Sequence, residues 1–384
     1  MAVALLTLVV ASAMHAQTYT FEEVASGLKH QDPSTRLRAI QILKDADYAE
    51  AAVPIAAVLE DPDDRVQLAA IDAERALFTA RTVPRRKKIG FVVEVRTVAG
   101  GDAAAEGQLA LKPRDVPTQL LTGLAVALRD NNPRVRAEAI NLTSLVAPQA
   151  CVTAVEVCSH VGNALIDNIN AREALLRRAA MQTLGQIRYS NAVQALLDQF
   201  SYYQNGADAI AALEALAGIG HAAAASTFRQ ALTSSNAEMR RIAVEGIARS
   251  GTADALAELQ QMGQSERSSS MLLALHYAAV KLAAPGSDPS HLVAALREPS
   301  LRPLALKYLL DLARSMAPAL ASSLRDANPD VRRLMADVLG FSRDATLIPA
   351  LNEATRDTNP DVALAAQQAI QRIRLSGAEA TPNP

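Results

Sequence analysis

The sequence predicts an all-α fold, an α/α superhelical solenoid of about ten stacked helix pairs with one inserted β-hairpin, and three observations predict it. Internal repetition comes first: DPSTRLRAIQIL (32–43), DPDDRVQLAAIDAERAL (61–77), NPRVRAEAINLTSL (132–145), NPDVRRLMADVLG (328–340) and NPDVALAAQQAI (359–370) share one plan. Spacing comes second, since Pro33 and Pro62, and then Pro299, Pro329 and Pro360, recur at intervals of about 30 residues. That length fits two helices of about a dozen residues each and two short turns. Composition comes third: half the residues are hydrophobic but only 3% are aromatic and none is Trp. Apolar surface made of Ala, Leu, Val and Ile suits close, repetitive helix packing.

From the N-terminus, Met1–Ala16 reads MAVALLTLVVASAMHA, an uncharged apolar run followed by small residues and Gln17. It resembles a secretory signal peptide, too short to span a bilayer, although no Lys or Arg follows Met1; the alternative is a buried first helix. Residues 1–16 are therefore set apart from the fold, and a periplasmic or secreted protein is expected.

Residues 17–80 carry the first repeats. Asp or Asn before Pro is a helix-start signal, because the side-chain oxygen caps free N–H groups and proline at the first helical position loses no hydrogen bond. Behind it apolar residues recur at helical spacing, as in Val331, Leu334, Met335, Val338 and Leu339 of a later copy, so each such helix buries one stripe.

The pattern stops over 81–117. Ile89, Phe91, Val93 and Val95 alternate with Gly90, Val92, Glu94 and Arg96, and Leu109 and Leu111 alternate again beyond Gly100, Gly101 and Asp102. Period-two alternation around a glycine-rich break predicts a β-hairpin. Just before it stand Arg85, Arg86, Lys87 and Lys88, a local basic cluster that is the candidate partner-binding site. The alternative is a solvated strand edge, where such residues discourage edge-to-edge pairing.

The array resumes over 118–375, and the tail 376–384, SGAEATPNP, has no apolar period and is expected to be disordered. Cys151 and Cys158 lie within the array, seven positions apart. On one continuous helix their Cα atoms would stand roughly 10 Å apart, beyond disulfide reach. Pro148 before them and Gly162 after them leave room for a turn, so a disulfide and a pair of buried thiols both remain open.

These units resemble the short HEAT-like repeats typified by phycobilisome-lyase-type proteins, over most of the chain beyond residue 16. The most specific marks are N/D-P-x-V-R, complete at Asn132–Arg136 and Asn328–Arg332, and the alanine-rich helix behind it. The resemblance implies that the recurring Arg38, Arg65, Arg136, Arg178, Arg241 and Arg333 pair with turn acids such as Asp32, Asp61 and Asp330 in a ladder between repeats. HEAT-like families also include a di-iron deoxyhypusine-type hydroxylase, but this chain has no His-Glu dipeptide among its six histidines, so that activity is not carried over.

No catalytic residue, metal site or cofactor is assigned. Metalloprotease, P-loop, nucleophile-elbow and dinucleotide fingerprints are missing, and 38 Lys and Arg against 40 Asp and Glu give no field for nucleic acid. The expected function is a non-catalytic, monomeric protein-interaction scaffold of the bacterial cell envelope, binding a protein or peptide through the solenoid surface and the inserted hairpin. The alternative is a lyase or cofactor-attachment accessory enzyme, as the resemblance implies.

Overall fold

A computed structural model of the protein describes residues 20–79, 86–89, 92–95, 107–152 and 154–378. Successive helix pairs are α1 (Phe21–Gly27) with α2 (Pro33–Ala46), α3 (Ala52–Ala56) with α4 (Asp64–Phe78), α5 (Thr118–Ala127) with α6 (Pro133–Ala150), and α7 (Val155–Asn168) with α8 (Ala174–Gln186). They continue with α9 (Val193–Tyr203) and α10 (Gly206–Ile219), α11 (Ala225–Leu232) and α12 (Ala237–Arg249), and α13 (Leu256–Ser265) and α14 (Ser269–Lys281). The array ends with α15 (Ser290–Ala294) and α16 (Arg302–Ala321), α17 (Pro329–Gly340), then α18 (Ile348–Ala354) and α19 (Pro360–Ala378). Non-helical Met316, two residues before Pro318, kinks α16, so its last turns act as the first helix of the pair completed by α17.

Local chemistry sets the helix starts. Asp32, Asn132, Asn236 and Asn328 each accept the N–H two residues on, at 2.8–3.1 Å. The second repeat differs: Asp63 rather than Asp61 is the cap, and α4 begins at Asp64. Buried stripes follow the expected period, with Val331, Leu334, Met335, Val338 and Leu339 of α17 all fully buried. The second helices of neighbouring pairs pack along the inside, closely enough at α8 and α10 that a Cβ on Gly185 would stand 2.8 Å from the Ala215 Cα.

Between α4 and α5, β1 (Arg86–Ile89) and β2 (Val92–Val95) pair antiparallel, with Arg86 opposite Val95 and Ile89 opposite Val92. The register pairs Ile89 with Val92, so both paired strands precede the Gly100–Asp102 break; that break, like residues 90 and 91, lies outside the described residues. Leu109 falls in a 3-10 turn, Gly107–Ala110, and Leu111 bridges Thr79 instead of extending a second strand. The apolar leader 1–16 also lies outside the described residues, while the start of the expected tail, 376–378, continues α19. Among the described residues no helix is long and apolar enough to cross a membrane.

Curvature brings the ends of the array together. Arg372 Nη2 of α19 donates to the Leu111 carbonyl at 2.7 Å, Gln371 Nε2 to the Pro113 carbonyl at 3.3 Å, and Arg343 Nη2 to the Gln149 carbonyl at 3.0 Å. Beside them Lys112 Nζ donates to both carboxylate oxygens of Asp47, at 2.8 and 2.9 Å. An open concave groove is thus replaced by a seam between early and late repeats.

Candidate interaction site

An arginine ladder runs through the turns, in a register displaced from the expected one. Arg36, Arg136, Arg177, Arg240 and Arg332 occupy equivalent places in the first turn of their helices, and each Nη1 donates to the carbonyls six and five residues earlier, at 2.8–3.2 Å. Three of the five also donate to the next repeat: Arg36 to Asp61, Arg177 to Asp208 at 3.1 Å, and Arg332 to Asp357 at 2.7 and 2.9 Å. The Nη1 contacts satisfy carbonyls of the turn that links the two helices of each pair, groups that no helix ladder reaches. Of the six arginines expected in this role only Arg136 holds it, because one position along a helix turns a side chain by about 100°. Arg38 is exposed, Arg65 pairs with Asp63 two residues before it, Arg333 lies 3.6 Å from Asp337 one turn on, and Arg241 faces inward. Asp32 caps its own helix instead of pairing across repeats.

Inward-facing side chains form the densest polar feature of the molecule. Glu245 of α12 is fully buried and receives Tyr308 Oη at 2.7 Å, Lys307 Nζ at 3.1 Å, Arg249 Nη1 at 3.3 Å and the guanidinium of Arg241. Asp311 of α16, with a side chain 5% exposed, receives Tyr277 Oη, Arg188, Lys281 Nζ at 3.1 Å and Arg249 Nε at 3.5 Å. The rings of Tyr277 and Tyr308 stack with centroids 4.3 Å apart, and the Arg249 guanidinium lies 5.2 Å from the Tyr277 centroid. Two carboxylates are therefore shared by five cations and two phenols drawn from three helices, α12, α14 and α16, and the Arg188 turn.

Its electrostatics are those of a clamp. Burial pushes the Glu245 carboxyl up, but Lys307, Arg249, Arg241 and the Tyr308 hydroxyl outweigh it and hold it down at about 2. Burial likewise opposes ionisation of Asp311, and Arg249, Arg188, Lys281 and the Tyr277 hydroxyl hold it far below its ordinary value. Burial pushes both tyrosines well above theirs. None of these four groups exchanges a proton near neutrality, which is what general acid–base chemistry would require.

Of the sequence-predicted site, Arg85 lies outside the described residues, and Arg86, Lys87 and Lys88 are placed only as β1 backbone opposite Val95, Glu94 and Val93. Cys151 and Cys158 are joined, with Cα atoms 5.4 Å apart. The break between α6 and α7 removes the continuous helix that would have kept them apart. Among the described residues no three His, Cys, Asp or Glu side chains gather as a metal site. Sequence reasoning missed the inward network; its one signal was an acid inside each buried stripe, Glu245 beside Ile242 and Asp311 beside Leu312.

Paired helices, a turn ladder and an inward face closed by ion pairs define an α-solenoid. The family model for HEAT repeats matches residues 202–275 and 317–382, so these stretches are HEAT repeats. Among solved structures, the chain is similar to an engineered protein (16% identity, covering 92% of this chain and 98% of that one, TM-score 0.40). It is also similar to the CpcE–CpcF complex of phycocyanin lyase from Nostoc (17%, 67% and 95%, TM-score 0.40) and to human deoxyhypusine hydroxylase (18%, 67% and 97%, TM-score 0.31). No curated protein matches.

Proposed function

We propose that the protein is a non-catalytic protein-interaction scaffold of the bacterial cell envelope, acting as a monomer on a protein or peptide partner. The observation that carries this reading is the inward network: its carboxylates and phenols are locked in one protonation state and spent on each other. Such a clamp rigidifies a frame and leaves its outer helices and the β1–β2 insertion as contact surfaces. Export is supported by the apolar run Met1–Ala16 and by the Cys151–Cys158 bond, which suits an oxidising compartment.

Affinity capture from native envelope extract tests it, comparing the unaltered chain with a variant in which Arg85, Arg86, Lys87 and Lys88 are all Glu. Deleting the whole insertion is the weaker design, since Lys112 belongs to the seam with Asp47. A protein retained by the unaltered chain and lost by the variant is the expected result. Retention of a chromophore or metal with no macromolecule would overturn it in favour of a cofactor-attachment enzyme.

A further inference from the structure

The seam between the ends of the array holds a cleft of about 160 Å³, open on one side, that neither the ladder nor the inward network uses. Phe78, Leu111, Val116, Ala154, Phe341 and Leu375 give it apolar walls. An apolar cavity of about 150 Å³ holds a benzene molecule, so a body of that size fits.

Its charge is one-sided. Lys112, Arg114, Arg343 and Arg372 line it against one acid, Asp115. Three of the cations are engaged in closing the seam: Lys112 and Arg114 with Asp47, and Arg372 with the Leu111 carbonyl. Even so, Arg372, whose side chain is 9% exposed, keeps a buried Nη1 with no hydrogen-bond partner, 3.7 Å from Asp337. Arg343 differs, because Nη2 donates to the Gln149 carbonyl while no carboxylate among the described residues lies within ion-pair distance of it. It also holds a left-handed backbone, φ 60°, which an arginine adopts at a cost. Burial and the neighbouring charges of Arg343 and Arg188 lower the pKa of Arg314 from its ordinary value, so cations crowd this side of the seam.

We propose that the seam cleft binds a small organic carboxylate carrying an apolar body about the size of a benzene ring, with the ring between the apolar walls and the carboxylate on Arg343. A free aromatic acid and the C-terminal phenylalanine of a polypeptide present the same chemistry. The site stands on the cleft alone and does not depend on the scaffold reading.

The full chain is titrated with sodium benzoate, benzyl alcohol and benzylamine by calorimetry and thermal melting. Two further arms are N-acetyl-Gly-Phe as the free acid and as its amide. Benzoate is expected to raise the melting temperature saturably and to bind about tenfold or more tighter than benzyl alcohol, the worth of a charge-assisted hydrogen bond. Arg343→Gly, which suits the left-handed backbone and should fold, is expected to abolish that preference. Ala154→Leu, which fills the cleft, is expected to abolish benzoate binding. Displacement of benzoate by the peptide acid but not by its amide identifies a chain terminus as the natural source; benzoate binding that no peptide displaces identifies a free acid. Equal affinity for benzoate and benzyl alcohol, no binding of any probe, or a preference unchanged in Arg343→Gly would overturn the proposal.

Discussion

Tyr308 donates its hydroxyl to Glu245 at 2.7 Å across 63 residues of sequence, and both side chains are fully buried. The contact joins the eighth helix pair to the sixth, so the inner face is held by a pair that skips a repeat. Removing the acid would leave Arg241, Arg249 and Lys307 crowded around an emptied site, with only peripheral carboxylates at Glu238, Asp311 and Glu214, 3.9, 3.5 and 3.1 Å away, to offset them. Glu245→Ala is therefore expected to cost about 3–5 kcal/mol, the usual penalty for breaking a buried ion pair by deleting one partner. Urea unfolding measures it, and a loss below about 1 kcal/mol would show the network to be ornamental.

The same carboxylate dictates an acid response. Glu245 is held at about 2 in the fold against an ordinary 4.5, so the unfolded chain binds the proton first as pH falls. The associated stability is fully present above about pH 4.5 and disappears as pH drops through the folded value, some 3 kcal/mol in all. Unfolding free energy measured between pH 5 and 3 should fall steeply, and the fall should be much shallower in Glu245→Gln.

His276 adds a milder loss nearer neutrality. Its ring stacks on His291, with centroids 4.1 Å apart, and burial first, then the His291 charge, push it below 6.5 against the pull of Asp288. The unfolded chain again takes the proton first, so stability declines as pH falls below about 6.5. His276→Phe keeps the stack without the titration. Between pH 7 and 5.5 the unfolding free energy of the unaltered chain should decline relative to that of His276→Phe; parallel curves would remove His276 from the account.

How much of this was legible in the sequence depends on the physics behind each feature. Helix starts were legible because Asp or Asn before Pro satisfies backbone donors locally, and buried stripes because periodicity records one face at a time. The ladder was legible only in outline: choosing Arg240 over Arg241, or Arg332 over Arg333, requires knowing which side of the first turn faces the neighbouring repeat. Contacts such as Arg188 with Asp311, or Arg372 with Leu111, arise from the curvature accumulated over several repeats. No local pattern encodes that sum.

Glu74 behaves oppositely to Glu245. It lies fully buried on α4 with neither carboxylate oxygen hydrogen-bonded, and burial pushes its carboxyl well above 4.5. Here the folded chain keeps the proton longer, so stability is full below about pH 4.5 and is lost as pH rises through the raised folded value. Glu74→Met retains the volume and removes the desolvated acid. It is expected to gain about 1–3 kcal/mol at pH 8 in urea unfolding; a destabilised variant would mean that the carboxyl has a partner.

Left-handed turns between pairs separate strain from use. Gly220 and Gly251 occupy this position at no steric cost, whereas Asp47, Arg188, Ala283 and Arg343 hold φ of 53–60° with a Cβ. Three of the four send side chains across the molecule, Asp47 to Lys112, Arg188 to Asp311 and Arg343 to Gln149, while Ala283 has no polar group to send. If strain is retained only where the side chain joins distant repeats, glycine should help at one site and harm at another. Ala283→Gly is expected to stabilise the chain by about 1 kcal/mol. Asp47→Gly gains the same backbone relief but strands Lys112 and Arg114, whose anionic partner is then missing at the seam, so its net effect should be a loss. Melting temperatures moving in opposite directions would confirm the relationship; a rise in both would show that Asp47 does not hold the seam.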